Sequence, residues 1–290
     1  MPNNKKLKTN FRKHPECFPD GKPKKKQYTD DLITLLHDGN KVEDLQLDIF
    51  RALMKTANED LHSLGHRTQI KSKSFEMGPH KESCNDNEQG EPFEGNPASI
   101  NRLYDKADTK YEGHFSGILD YRRSRINLNS PTQIAALCSV MEWCEQYDVE
   151  LPHGAVIIDT DNRFKYPSNT GHSMYAANIA IPIPNKPDKY HIVEMVITHE
   201  GFEKSIKADE SHETYEKERK LRKRAQTDKP LNEDAGKYWT KIIRTARNLH
   251  NRWRKHYKLD EIPFEKFERL RGRTAQEDFD NALKNEQSND

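Results

Sequence analysis

Four stretches between residues 115 and 198 are the places where this 290-residue chain reads as strand. They are Phe115–Leu128 (FSGILDYRRSRINL), Ala155–Asp159, Met174–Pro182 and Tyr190–Thr198. The turn signal Pro184-Asn185-Lys186-Pro187-Asp188 separates the last two. A sheet this small needs helices to cover its apolar side. The sequence supplies them before, within and after the strands. The expected class is therefore α+β, a small mixed sheet with flanking helices.

Between Tyr28 and Leu64 the pattern is helical. Leu32, Leu35 and Leu36 form a first stripe that Gly39-Asn40 can end. Val42, Leu45, Ile49, Phe50, Leu53, Met54, Ala57 and Leu61 follow at three- and four-residue steps, closed by Gly65. Residues 76–97 are polar with several Gly and Pro and read as a loop or insertion. Ser99 to Lys110 fits a short helix. Ser130-Pro131 starts another, with Ser130 as cap and Pro131 in the first turn. Ile134, Leu137, Cys138, Met141 and Cys144 then recur at helical spacing. Two long basic helices are expected over Lys204–Arg224 and Glu233–Tyr257, broken near Asp228-Lys229-Pro230. The last thirty residues read as a charged, fraying tail.

Composition narrows the function. Hydrophobic and charged residues each make up 33%, so one compact domain with polar helices and solvated tails is expected. No run of about 18 apolar residues is present, which argues against a membrane span. MPNNKKLKTNFRK lacks the apolar core of a secretory signal. Cys17, Cys84, Cys138 and Cys144 show no paired metal-ligand spacing, so reduced thiols in the cytoplasm are the simple reading. The net charge of +1 hides a segregation: residues 1–26 carry +7 and residues 217–258 carry +11. Such blocks suit an anionic partner, nucleic acid or a phosphorylated ligand, and equally a solvated helix face with a loose tail.

Three places can carry chemistry. Asp120, at the end of an apolar run, is followed by Arg122, Arg123 and Arg125. An acid there can bind a hard cation such as Mg²⁺ while arginines hold phosphates, or it can make an ordinary strand-end salt bridge. Glu194 sits among Val193, Val196 and Ile197, and needs a partner or metal if buried. Gly171-His172-Ser173 follows a polar loop; Gly171 permits close backbone approach, and His172 can stack on a base or be a surface histidine. No phosphate-binding GxxxxGK[ST] loop, GxSxG, HExxH or GxGxxG occurs.

In order along the chain these pieces resemble the synthetase domain of the RelA/SpoT family. The resemblance runs from Ile70 to Arg219. Ile70-Lys71-Ser72 resembles the basic ATP-contacting segment, and Pro97-Ala98-Ser99-Ile100 the helix start after it. ILDYRRSRI resembles Asp-x-x-Gly-x-Arg-Ile, with Asp120 at the acid, Arg125 at the arginine and Arg123 in place of glycine. Tyr166 to His172 resembles the acceptor loop, VEMVITH the strand with the essential glutamate (Glu194), and SHETYEKER (Ser211–Arg219) the following helix.

That resemblance implies a nucleotidyltransferase-type fold. It implies an ATP-dependent 3′-pyrophosphokinase making an alarmone of the (p)ppGpp type on a guanine nucleotide. Asp120 and Glu194 would be catalytic and hold Mg²⁺. Lys71, Lys73, Arg125 and Lys165 would meet ATP phosphates. Gly171, His172 and Tyr175 would line the acceptor site. The acceptor half departs most. His172 stands where the family has tyrosine, Ser168 where it has lysine, Val196 where it has glutamine, and Gln69 where it has arginine. Two alternatives stay open: transfer to the 3′ end of tRNA, and a non-catalytic nucleotide- or RNA-binding relative. A homo-oligomer is possible, and product hydrolysis is not expected. The expected organisation is a basic tail 1–27, a synthetase-like domain 28–225 with an insertion near 76–97, a basic helix 226–258 and a charged tail 259–290.

Overall fold

The computed structural model describes residues 26–71, 75–79, 97–186, 188–208, 217, 233–268 and 275–284. The helices are α1 (Leu32–Lys41), α2 (Glu43–Ser63), α3 (Pro97–Lys110), α4 (Pro131–Gln146), α5 (Glu200–Ala208), α6 (Glu233–His256), α7 (Phe264–Glu268) and α8 (Ala275–Lys284). The strands are β1 (Phe75–Pro79), β2 (Arg122–Leu128), β3 (Val156–Asn162), β4 (Tyr175–Pro182) and β5 (Tyr190–His199). They form one sheet in the order β1-β2-β5-β4-β3. Only β2–β5 is parallel; the other pairs are antiparallel. The α+β class and mixed sheet expected from the sequence are both present.

Alternation sorts the sheet's two faces. Arg122, Ser124, Ile126 and Leu128 are buried on β2, while Arg123, Arg125 and Asn127 between them are partly exposed. Ile126 and Leu128 join Tyr175, Ala177 and Ile179 of β4 and Val193, Met195 and Ile197 of β5 in the main core. Helices α2 and α4 fill that side with Ile49, Phe50, Leu53 and Ile134 to Cys144. The other face carries a row of polar residues, with Val196 and Ala176 beside it and apolar residues at one end. There Val156, Ala180, Tyr190 and Ile192 make a small apolar cluster with Tyr28, Leu119 and Ile158.

Several sequence expectations shift. Gly39 does not end a helix; it lies buried in the last turn of α1, where a Cβ would sit 2.8 Å from the Tyr121 ring. Ser130 stands at the N-cap of α4 without a side-chain cap bond. The strand begins at Arg122, not Phe115, so Asp120 precedes it. β1 falls at the start of the expected 76–97 insertion: as an edge strand it tolerates Gly78 and Pro79. The rest of that segment, residues 80–96, lies outside the described residues, as do residues 1–25, Lys73, the expected break at 228–230 and, apart from Lys217, the Ser211–Arg219 motif.

The described residues begin inside the expected basic tail 1–27. Gln27 is buried, donating to the Ile192 carbonyl at 2.8 Å and accepting from the Ile192 amide at 2.9 Å. Nor is 259–290 a tail throughout. Leu259, Ile262, Phe264, Phe267 and Phe279 enter the main core, and Gln276 bonds to both backbone groups of Glu150. Five apolar residues scattered among charges gave too weak a period to read as helix.

Candidate functional site

Strand register builds the site. Arg123 of β2 stands opposite Glu194 of β5. Glu194 stands opposite Asn178 of β4, and Asn178 opposite Asp159 of β3. Ladder partners share a face, so the four polar residues form a row across the polar side. The next row is Arg125, Val196, Ala176 and Asp161. Its two middle side chains, Val196 and Ala176, are apolar and buried.

The row is electrostatically tied. The Arg123 guanidinium donates from Nε to Glu194 Oε2 and lies with Nη2 at 3.4 Å from Asp120 Oδ2. Lys106, from α3, pairs with Asp120 Oδ1. Asn178 Nδ2 donates to Asp159 Oδ2 at 3.4 Å. Burial pushes the Glu194 carboxyl above the usual carboxylate range; Arg123 pulls it down and Asp120 pushes it up, and burial wins. Tyr111, just past α3, feels the same pair. Burial first, then the charges of Asp120 and Glu194, raise its phenol. Gly117 lets that ring lie close: a Cβ there would be 2.4 Å from Tyr111 Cγ.

This arrangement does not fit a divalent ion between Asp120 and Glu194. The two carboxylates are hard oxygen donors of the right kind. Yet a guanidinium from the strand itself stands between them, and an ammonium holds Asp120 from the other side. Among the described residues no group of three or more His, Cys, Asp or Glu is placed to hold a metal.

The other sequence-selected residues divide. Arg125 is partly exposed on the same face, one row from Arg123, and makes no ion pair among the described residues. Lys71 is exposed beyond α2; the preceding Ile70 is anchored by Asn58, through bonds of 2.7 and 3.0 Å. Lys165 lies elsewhere: it pairs with Glu142 of α4 at 3.0 Å and sits 4.8 Å over the Phe264 ring. Tyr175 is fully buried, because alternation along β4 turns it to the core with Ala177 and Ile179. It does not line an acceptor site.

Gly171 and His172 belong to a second group under α6. Gly171 has φ of +80° and packs where a Cβ would meet His250 Cβ at 3.1 Å. His172 Nε2 is 3.3 Å from Glu203 Oε1 of α5, and its ring lies 5.8 Å from that of His250. His250 Nδ1 bonds the Thr170 carbonyl at 2.7 Å, and Arg247 Nε donates to the Asn169 carbonyl at 2.7 Å. Burial and the neighbouring His172 lower the His250 imidazole to about 4. Helix α6 thus clamps the loop by its backbone.

Asp159, Asn178, Lys106 and Tyr111 were not singled out from the sequence. Alternation placed Asp159 and Asn178 on faces of their own strands, but only the β3–β4–β5 register puts them in line with Glu194.

No protein-family model matches the chain, and no curated protein matches it. Among solved structures it is similar to the small alarmone synthetase 1 from Bacillus subtilis bound to its product pppGpp. The identity is 12% and the TM-score 0.41, over 79% of this chain and 97% of that one. It is also similar to the small alarmone synthetase 2 from Bacillus subtilis, at 15% identity and a TM-score of 0.43, over 80% and 95% of the two chains. A GTP pyrophosphokinase family protein from Streptococcus pneumoniae is similar at 12% identity and a TM-score of 0.38, over 82% and 93%.

Proposed function

We propose that the polar sheet face transfers pyrophosphate from ATP to the 3′-hydroxyl of a guanine nucleotide. One observation carries this reading. The parallel β2–β5 pair brings Asp120 and Glu194, from two separate sequence motifs, onto one guanidinium. The acceptor oxygen attacks the β-phosphorus of ATP, the bond from that phosphorus to the α–β bridging oxygen breaks, and AMP leaves. Glu194 takes the hydroxyl proton. Arg123 holds Oε2, so Oε1 is the accepting atom. A carboxyl raised by burial is the stronger base once ionised, which suits that task. Arg125 and Lys71 supply positive charge toward the transferring phosphates, which is the main electrostatic demand of such chemistry. ATP comes as its magnesium complex, the metal belonging to the substrate.

A second reading replaces the free nucleotide with the 3′ end of an RNA. The observation behind it is the basic face of α6. Lys237, Lys241, Arg244, Arg252 and Lys255 are exposed, and the same helix holds the Gly171–His172 loop through Arg247 and His250. An RNA gripped there would lie against that loop. Incubation with ATP labelled at the γ-phosphate, with GDP, GTP, ADP or bulk tRNA in separate tubes, tests both. Label on a guanine nucleotide is the expected result; label in the RNA band would favour the second reading, and label on neither would overturn both.

A further inference from the structure

We propose that Arg123 is the resident cation of this site, and that it keeps divalent ions off the Asp120–Glu194 pair. The geometry is specific. Arg123 is fixed opposite Glu194 by strand register, with ladder pairs on both sides of it, so its stem cannot drift along the sheet. Its guanidinium reaches both carboxylates, Glu194 through Nε and Asp120 through Nη2 at 3.4 Å. Lys106 adds a second positive charge on Asp120. Among the described residues, these two carboxylates and two cations leave no net negative charge to draw in a divalent ion. An ion that entered would displace the guanidinium and sit between two retained positive charges.

All three inner side chains are at least four-fifths buried: Arg123 is 20% exposed, Asp120 17% and Glu194 16%. Water therefore screens the pairings weakly. An arginine also stays charged at any working pH, so the exclusion does not relax by deprotonation. The consequence rests on the reading of Asp120 and Glu194 as phosphate-transfer carboxylates: magnesium reaches this site only with ATP, and Arg123 is the residue that sets this metal dependence.

The test uses Mn²⁺ alone with the full chain and no nucleotide, so its outcome is independent of whether the protein transfers pyrophosphate. Free Mn²⁺ is followed by its electron paramagnetic resonance signal for wild type, Asp120→Asn, Arg123→Ala, Arg123→Met and the double variant Arg123→Ala/Asp120→Asn. Wild type is expected to take up no Mn²⁺ at the site. Arg123→Ala should bind one ion at least tenfold more tightly than wild type and gain thermal stability from it. The double variant should lose that ion. Arg123→Met keeps the stem's packing and serves if the alanine variant does not fold. One ion bound by wild type and lost on Asp120→Asn would overturn the proposal, and so would folded Arg123 variants that bind no ion.

Discussion

Arg123 and Glu194 face each other across the one parallel strand pair in the sheet, and the guanidinium of the first lies on the carboxylate of the second. Both side chains are mostly buried. Taking the arginine away leaves a carboxylate that water reaches poorly, and breaking such pairs typically costs about 3–5 kcal/mol. Urea unfolding of Arg123→Ala should show a loss at the lower end of that range, about 3 kcal/mol, at pH 7.5. The loss should shrink as the pH falls, because burial already raises the Glu194 carboxyl and protonation removes the uncompensated charge. A deficit that does not change between pH 7.5 and pH 5 would mean that the ion pair is not its source.

A buried histidine is expected to weaken the fold in acid. His191 is fully buried, with neither ring nitrogen hydrogen-bonded among the described residues. Burial, then the nearby Arg122, lowers it to about 3 from 6.5. A lowered folded value gives stability that is present above 6.5 and is lost as the pH falls toward 3. Within that window one such group costs up to about 1.4 kcal/mol per pH unit. His250, lowered to about 4, acts in the same direction. The Glu194 carboxyl, being raised, acts oppositely: its contribution is present at low pH and lost as pH rises. Chemical unfolding between pH 7 and pH 4.5 should therefore show a falling stability, and His191→Leu should flatten the slope. An unchanged slope in that variant would place the acid sensitivity elsewhere.

Gly117 seats Tyr111 beside the carboxylates. In Gly117→Ala the new methyl would overlap the base of the ring, Tyr111 Cβ, Cγ and Cδ1, and not a flexible tip. Overpacking of this kind costs about 1–3 kcal/mol. The variant should lose stability in that range, and its tyrosine titration should shift toward the ordinary value as Tyr111 leaves the two charges. Wild-type stability with an unshifted titration would show that the loop has room to spare.

The sequence made the two acids, the helices α2 and α4 and the strands β4 and β5 legible, because each rests on a local period or a local motif. What joins them is not local. Arg123 could be seen as a departure from the resembled motif, but its reach to both Asp120 and Glu194 depends on the β2–β5 register, which no short window contains. Tyr175 turns inward because one residue of strand phase decides between the polar face and the core, while Lys165, in the turn after β3, is set by its pairing with Glu142 of α4, far from it in sequence. β1 was missed because an edge strand with Gly78 and Pro79 has the composition of a turn. The docking of Phe267 and Phe279 was missed because isolated aromatics among charges carry no period.

Helix α6 offers a separable test of RNA binding. Lys241, Arg244 and Lys255 are exposed on the helix and belong to a different element from the β2–β5 carboxylates. If α6 grips phosphates, reversing these three to Glu should weaken RNA binding roughly tenfold or more. The slope of log affinity against log salt should fall by roughly 0.7–0.9 per lost contact. Transfer to a free guanine nucleotide should persist. An unchanged salt slope would make the stripe a solvated face and remove the support for an RNA acceptor.

The most direct measurement is transfer of pyrophosphate from γ-labelled ATP to a guanine nucleotide by wild type, Glu194→Gln and Asp120→Asn, with folding checked by circular dichroism. Glu194→Gln keeps the shape and the hydrogen-bonding length but removes the base. It should reduce turnover by roughly a hundredfold or more, the usual scale for a positioned proton acceptor. Asp120→Asn, by releasing one side of the Arg123 clamp, should also lose most activity while remaining folded. Wild-type turnover by a folded Glu194→Gln protein would contradict the assignment of this sheet face as the reacting site.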